Sequence, residues 1–416
     1  MKKVCVLGLG YIGLPTASMF ASHGVQVVGV DINPSVIETL RRGQIHIEET
    51  GLQERMQIAL SSGNLRVETQ PEPADAFIIS VPTPIQADKS ADMRAVVSAT
   101  KAILPHLRPG NLVILESTSP PGATQNLVRP ILEGNGLRAG KDFKLAYSPE
   151  RVLPGQILRE LVENARVIGG IDEESAKAGR DLYLHFVKGE IVLTTAITAE
   201  MVKLMENTFR DVNIALANEF ALLADQMGFD VWEAITIANR HPRVQILRPG
   251  PGVGGHCIAV DPWFLVEASP DKAKLIRQAR LVNDGMPSYV LSRAQRILEG
   301  VQSPIIACLG LTYKADVDDI RESPAVEVLE QLIQAGFLVR AYDPHVVPSD
   351  ALISHWASSV EEAVHDADLA ILLVDHTEFR ELPPEALASM RTPRLLDTRQ
   401  CLDQTLWKNV SGYEVL

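Results

Sequence analysis

Short, nearly uninterrupted apolar runs broken by glycine open the chain. KVCVLGLGYIGLP reads as a buried strand, a glycine turn and the start of a helix, and VQVVGVD, ending at Asp31, reads as a second strand. Together they make one β-α-β unit. Further runs of the same kind are AFIISVP (76–82), NLVILEST (111–118) and FKLAYSP (143–149), separated by stretches long enough for helices. Strands with no polar alternate, interleaved with helices, predict a parallel sheet covered on both faces.

The same cadence returns near the C-terminus. PIIACLGLTYK (304–314) resembles the opening strand and turn, FLVRAYDP (337–344) resembles VQVVGVDINP, and DADLAILLVDH (366–376) resembles PADAFIISVPT (73–83). The pattern predicts two doubly wound α/β domains. The second keeps only Gly310 of the glycine fingerprint and is expected to bind something other than a dinucleotide. Between them, Ala196–Met227 has neither Gly nor Pro, is rich in Met, Leu, Ala and Phe, and is bounded by Gly189 and Gly228. It predicts one long helix with Thr198 as N-cap. Apolar on most sides, such a helix is expected to be buried between domains or subunits, as domain connector and dimer surface. A Gly- and Pro-rich loop, RPGPGVGGHCIAVDP (248–262), follows it, and then further helical sequence. The resulting boundaries are 1–195, 196–295 and 296–416.

At 416 residues the chain has room for two or three domains with cores of their own. Hydrophobic residues at 46% and charged residues at 22% fit a globular protein and exclude a disordered or fibrous one. The formal charge of −13 disfavours a general binder of nucleic acid or of an anionic membrane, so an anionic ligand needs a local basic site. Cys5, Cys257, Cys308 and Cys401 form no Cys-x-x-Cys pair, which argues against a disulfide framework or a cysteine zinc site and for a reducing cytoplasm. Lys2 and Lys3 ahead of an uncharged run from Val4 to Val30 imitate a signal peptide, but five glycines and Pro15 break the run, so no anchor is expected there.

Three groups of residues carry candidate chemistry. Gly8-x-Gly10-x-x-Gly13 follows a strand and opens a helix, with Asp31 eighteen positions after the last glycine. Glycines there permit a tight turn and close approach of a pyrophosphate to the helix N-terminus, while a carboxylate at the end of the next strand receives ribose hydroxyls and repels a 2′-phosphate. The reading is NAD binding. Cys257 lies in the irregular glycine-rich segment, whereas Cys5 and Cys308 fall in core strands as packing residues. Cys257 is either a nucleophile or a structural thiol. His256 beside it has no second Cys or His nearby, so no metal site is expected. On the long helix Lys203, Asn207 and Arg210 share one face, either as a solvated stripe or as the lining of a cleft.

GLGYIGLP, ESTSPPG (116–122), YSPERVLPG (147–155), AEMVKLMENTFRDVNIALANE (199–219), NRHPRV (239–244), GPGVGGHCIAVDPWF (250–264) and YKADVDDIRESPA (313–325) together resemble the nucleotide-sugar 6-dehydrogenases, the UDP-glucose/GDP-mannose dehydrogenase family. The resemblance extends over essentially the whole chain. It implies two Rossmann-like domains joined by the long helix, NAD on the first, the nucleotide on the second and chemistry in the cleft between. It also implies a primary alcohol at carbon-6 oxidised twice to a carboxylate, with two NAD and one water. By the same resemblance Cys257 is the nucleophile that forms a thiohemiacetal and then a thioester, and Lys203 and Asn207 contact the reacting oxygen. Asp261 and Thr118 hold a water, and Glu150 assists hydrolysis. Tyr11, Ile12, Asp31, Thr83 and Thr118 match positions around NAD, with Arg321 reaching it from the C-terminal domain. Arg151, Val152, Lys203, Asn207, Arg210, His241, Arg243, Gly252, Tyr313 and Lys314 match the neighbourhood of a UDP-sugar, and His241 and Arg243 can enter the cleft of a partner subunit. The expected assembly is a homodimer or a higher homo-oligomer.

GHCIAVDPWF and NRHPRV are most similar to those of members that oxidise UDP-N-acetyl-D-mannosamine. The rivals are the same chemistry on UDP-N-acetylglucosamine or UDP-glucose, a two-electron hydroxyacid dehydrogenase, which would not need Cys257, and a silent NAD or nucleotide-sugar sensor, which would need none of Cys257, Lys203 and Asn207.

Overall fold

In the computed structural model, which describes residues 1–153, 155–350 and 352–416, the first two apolar runs become β1 (Lys3–Leu7) and β2 (Gln26–Val30). They pair in parallel, Lys3 opposite Gln26 and Leu7 opposite Val30. Val4, Cys5 and Val6 are all fully buried, so side chains on both faces of β1 are covered, and this is why the run shows no polar alternation. The chain divides into two compact units, Met1–Glu206 with Trp263–Ser269, and Asn207–Pro262 with Pro270–Leu416.

The first unit holds an eight-stranded sheet in the order β3-β2-β1-β4-β5-β6-β7-β8, adding β3 (Leu65–Glu68), β4 (Ala76–Ile79), β5 (Leu112–Leu115), β6 (Lys144–Tyr147), β7 (Arg166–Gly170) and β8 (Ile191–Thr195). One pair departs from the expected parallel sheet. β6 and β7 run antiparallel, Ala146 opposite Gly170 and Tyr147 opposite Gly169. β3, with alternating burial, and β8, a partly exposed edge, lack the continuous buried run that marks the other strands, while β7 is buried throughout but ends in two glycines that weaken its strand signal.

The second unit carries a five-stranded, wholly parallel sheet in the order β10-β9-β11-β12-β13: β9 (Ile305–Leu309), β10 (Leu338–Tyr342), β11 (Leu369–Leu372), β12 (Leu395–Asp397) and β13 (Tyr413–Val415). The internal repeat extends to individual hydrogen bonds. Gly8 N–H donates to Val30 O at 2.8 Å, and Gly310 N–H to Tyr342 O at 2.9 Å. Asp31 accepts from Leu9 N–H (3.0 Å) and Asn33 N–H (2.9 Å), and Asp343 accepts from Leu311 N–H (2.6 Å) and His345 N–H (2.9 Å). The copies differ at that acid. Asp31 is partly exposed, whereas Asp343 is buried and accepts from the fully buried His376, Nε2 to Oδ2 3.0 Å. A ribose could not reach Asp343 without displacing that ring.

Ala196–Met227 is one helix, as its composition predicts, and the division between the two units falls within it. Its N-cap is not Thr198. The helix starts directly after β8, so Thr198 sits in the first turn and donates its N–H to Thr195 Oγ1 at 3.3 Å. Nor is its apolar surface all covered in the single chain, since Met205, Phe209, Leu216, Leu223 and Met227 are exposed. Asp211 anchors the opposite side, taking Arg280 Nη1 at 2.5 Å and Asn283 Nδ2 at 2.8 Å from the helix Lys274–Ile297. Cys5 and Cys308 are core residues, and burial pushes both thiols up to about 12.

Candidate active site

In the first unit the glycine turn is shaped by backbone proximity. A Cβ on Gly8 would lie 2.2 Å from Ser80 O, and one on Gly13 would lie 1.9 Å from Gly8 O. Gly10 is different, because a Cβ there meets nothing within 4 Å and the residue is exposed. Open space over a glycine, directly before a helix (Gly13–Ser22) with no capping side chain and no acid in its first turn, is the cradle a pyrophosphate needs. Tyr11 is exposed and Ile12 half-buried on its rim. Asp31, its two oxygens held by Leu9 and Asn33 N–H groups, stands at the end of β2 where a ribose would lie. These residues fit a dinucleotide.

Thr118 follows β5. Thr83 Oγ1 donates to Thr118 O at 2.6 Å, and Ser117 Oγ donates to Val81 O at 2.7 Å, so the loops after β4 and β5 are stitched together. Buried Glu200, from the first turns of the long helix, accepts from Gly122 N–H at 2.5 Å, Thr124 N–H at 2.8 Å and Thr124 Oγ1 at 2.6 Å. Burial pushes its carboxyl up, against these hydrogen bonds. Glu150, beyond β6, receives Arg151 N–H on Oε1 at 2.7 Å and Arg166 Nη2 on Oε2 at 2.5 Å. The Arg151 guanidinium pairs with Glu206 and Ala165 O, Val152 is half-buried beside it, and Lys203 is half-buried on the long helix.

In the second unit Cys257 is exposed. Its carbonyl accepts Val260 N–H at 3.1 Å and Asp261 N–H at 2.8 Å, which folds the glycine-rich segment into turns entering the helix Asp261–Ala268. Asp261 is 1% exposed and accepts Asn207 Nδ2 on Oδ2 at 2.5 Å, while Asn207 Oδ1 accepts from Arg210 Nη2. Asn207, 1% exposed, is therefore not part of a solvated stripe. It is a fixed amide between a buried acid and an arginine. Gly254 and Gly255 let the loop lie against its neighbours, since a Cβ on the first would be 2.3 Å from Glu322 O and one on the second 2.7 Å from the Tyr313 ring. Gly252 is buried in the same loop.

Asp319 gathers the remaining polar groups there. It accepts His256 Nε2 at 3.2 Å and Arg321 at 2.9 and 2.7 Å. Against the upward push of burial, the Arg321 hydrogen bonds hold its carboxyl down to about 2. His256 thus faces a carboxylate. Tyr313 is half-buried and Lys314 exposed. His241 and Arg243 are exposed on a loop closed at its base by Asn239 and Asn213, which bond Ile246 (2.8 Å) and Leu247 (3.0 Å).

Several residues in these surroundings carry no signal in the sequence. Arg166 pairs with both Glu150 and Glu116, but an arginine opening a short strand is visible only once the strand's direction is known. Arg399, beyond β12, donates Nε to Leu373 O at 3.2 Å and lies against Gly250. Asp316, His345, His376 and Glu378 bring ligand-type atoms within 4.8 Å of one another, yet His376 Nδ1 already accepts Asp316 N–H at 3.0 Å while Nε2 serves Asp343.

Models of the UDP-glucose/GDP-mannose dehydrogenase family match the chain at residues 2–187 (NAD binding domain), 197–285 (central domain) and 307–404 (UDP binding domain). An NDP-N-acetyl-D-galactosaminuronic acid dehydrogenase of Ralstonia nicotianae is 49% identical over 96% of this chain and 96% of its own length. A UDP-N-acetyl-D-mannosamine dehydrogenase of Methanocaldococcus jannaschii is 48% identical over 100% of this chain and 96% of its own. Among solved structures, the UDP-N-acetyl-mannosamine dehydrogenase of Staphylococcus aureus superposes with a TM-score of 0.89 at 47% identity, covering 100% of this chain and 97% of that one.

Proposed function

The chain belongs to the UDP-glucose/GDP-mannose dehydrogenase family, NAD-dependent oxidoreductases, and on that premise we propose that it oxidises carbon-6 of UDP-N-acetyl-D-mannosamine to a carboxylate through a thioester on Cys257. Two NAD would be needed in turn, each held at the Gly8–Gly13 turn and Asp31 and each supplying the acceptor for one hydride. The alcohol loses a hydride and a proton to become an aldehyde, and the Cys257 sulfur bonds carbon-6 as the carbonyl π bond opens and the thiol proton passes to its oxygen, giving a thiohemiacetal. Loss of a second hydride and proton leaves a thioester. Water then forms a bond to that carbon, the carbon–sulfur bond breaks, and the carboxylate departs with Cys257 restored.

Each protein group takes one role in this reading. Asn207, held between Asp261 and Arg210, has its amide fixed at a single orientation, which is what a donor to a developing oxyanion requires. Lys203, one turn earlier on the same helix, supplies positive charge to that oxygen. Asp261 and Thr118 hold water, and Glu150 takes a proton from it. Arg210, Arg243, Lys314, Arg151, Val152, His241, Gly252 and Tyr313 receive the nucleotide sugar, and the basic ones meet its diphosphate. Arg321 and Thr83 complete the NAD contacts. The observation that carries the reading is the exposed Cys257 leading directly into buried, Asn207-bonded Asp261. An exposed cysteine four residues before a buried acid suits a nucleophile better than a packing residue.

A second reading differs only in the sugar. The Ralstonia relative, at 49% identity, is named for N-acetyl-D-galactosaminuronic acid. Side-by-side kcat/KM on UDP-N-acetyl-mannosamine, UDP-N-acetylgalactosamine, UDP-N-acetylglucosamine and UDP-glucose decides. The manno substrate ranks first if the proposal holds, and first rank for any other overturns the substrate assignment.

Among the described residues no helix is long and apolar enough to cross a membrane. We place the reaction in a reducing cytoplasm, where an exposed nucleophilic thiol persists. The exposed apolar residues Phe209, Leu216, Leu223 and Met227 of the long helix support a homodimer through that surface. Light scattering at twice the chain mass supports it, and a monomeric mass at micromolar concentration refutes it.

A further inference from the structure

The antiparallel entry of β7 has a local consequence. Tyr147 lies opposite Gly169 and Ala146 opposite Gly170, so the same register continued past Tyr147 brings Glu150 opposite Arg166, the first residue of β7. A parallel β7 would deliver that residue to the amino end of the sheet instead. The guanidinium lies where the register puts it. Nη2 donates to Glu150 Oε2 at 2.5 Å and Nη1 to Ser148 Oγ at 2.9 Å. Its Cζ lies 4.1 Å from the centre of the Tyr183 ring. On the other side Glu116 Oε1, 3.5 Å from Nη1, also accepts the Tyr183 hydroxyl at 2.7 Å.

The Arg166, Glu116 and Glu150 side chains are 5, 0 and 8% exposed. Glu116 directly follows β5 and precedes Ser117 and Thr118, while Glu150 lies three residues beyond β6. One buried cation therefore joins the two loops that carry Thr118 and Glu150. Stability alone is a poor reason for such a group, because apolar side chains of similar volume often replace a buried ion pair without loss. Orientation is a better one. With one Glu150 oxygen held by Arg166 and the other by Arg151 N–H, the carboxylate has a single direction, and each oxygen keeps a second lone-pair site for a water proton.

We propose that Arg166 is a positioning residue for hydrolysis of the Cys257 thioester, fixing the Glu150 carboxylate and locking the Glu150 loop to the Thr118 loop through Glu116. This rests on the reading of Glu150 as the base of that step. In the step the water oxygen bonds the thioester carbon, one water proton passes to Glu150, the carbon–sulfur bond breaks and Cys257 leaves as thiolate. The second proton leaves when the new carboxyl ionises, and no electrons are exchanged with a cofactor.

The test uses full-length Arg166→Gln, Arg166→Lys and Glu150→Gln, turning over UDP-N-acetyl-mannosamine with NAD. Intact-protein mass after rapid quench reads the acyl group on Cys257, alongside kcat and both KM values. A misplaced base typically costs about 10- to 100-fold. Arg166→Gln is expected to lower kcat by roughly that factor with both KM values within about threefold, and to accumulate the acyl adduct, as Glu150→Gln does. Arg166→Lys, which keeps the charge and loses the fork, recovers part of the rate. If Glu150→Gln accumulates adduct while Arg166→Gln turns over like wild type, Arg166 has no such role and Glu150 keeps its own. If Arg166→Gln is slow without adduct, its effect is not on hydrolysis and the proposal fails. If Glu150→Gln shows neither adduct nor a slower rate, the reading of Glu150 falls and the proposal with it. Should Arg166→Gln not fold, Arg166→Lys decides by the same signs, a lowered kcat with adduct against wild-type behaviour.

Discussion

A methyl group added at Gly13 would sit 1.9 Å from Gly8 O and 3.4 Å from Ser80 Cβ, while one added at Gly10 meets no heavy atom within 4 Å. The two alanine variants should therefore separate folding from cofactor binding. The Gly13 clash is with backbone and cannot be relieved by a rotamer, so Gly13→Ala belongs at the top of the overpacking range, about 3 kcal/mol or more. In a unit of this size that lowers Tm by roughly 6 to 12 °C. Gly10 has an ordinary negative φ, so Gly10→Ala is expected to leave stability unchanged or to raise it by up to about 1 kcal/mol. Its methyl instead occupies the space into which a pyrophosphate must come, and a tenfold loss of NAD affinity corresponds to about 1.4 kcal/mol. Thermal melts with NAD at about 100 times the wild-type Kd give the readout. Ligand stabilisation is about 2.7 kcal/mol for wild type and falls to about 1.4 kcal/mol or less for Gly10→Ala. An unchanged NAD shift in Gly10→Ala would show that the dinucleotide does not approach this glycine. A wild-type melt for Gly13→Ala would refute the packing argument itself.

Two further outcomes follow from buried charge. Burial pushes the Glu116 carboxyl up to about 7 against the pull of Arg166. The native state then binds this proton more tightly than the unfolded chain, so its contribution to stability is complete below the usual carboxylate range and is lost as pH rises towards 7. Glu116→Gln should flatten that fall, by of order 3 kcal/mol, in urea melts between pH 4.5 and 8, and a wild-type pH profile would contradict it. Arg280→Ala leaves Asp211, 0% exposed, without its cation, and should cost about 3 to 5 kcal/mol in the same melts. A loss under about 1 kcal/mol would mean that the Asn283 amide alone satisfies this carboxylate.

The long helix was legible because Ala196–Met227 contains neither Gly nor Pro and Gly228 ends it, whereas its cap was not. Thr195 and Thr198 are equally good caps in composition, and only the end of β8 decides between them. The repeat was legible from strand runs and turns, and it holds even for Asp31 and Asp343. What plugs Asp343 is His376, far along the chain and identifiable only after β9, β10 and β11 are assembled. Strands filled with apolar side chains on both faces announce themselves, while β3 and β8 are partly exposed and β7, though buried, spends two of its five positions on glycine. The direction of β7 could not be read from RVIGG, and with it went Arg166. The glycine fingerprint, Asp31 and Cys257 stood out because each needs its residue type at one fixed place. From pattern alone Asn207 appeared as one of a charged stripe, its contact with the reacting oxygen coming from the family resemblance, since its partner Asp261 lies 54 positions away.

The central claim is a double oxidation held on Cys257. Its most direct test is the NADH formed per UDP-N-acetyl-mannosamine consumed, at saturating NAD and limiting sugar, with Cys257→Ser beside the wild type. Two NADH per sugar, and no completed oxidation in Cys257→Ser, is the predicted result. A ratio of one, or a serine variant that still delivers two, would contradict the thioester account.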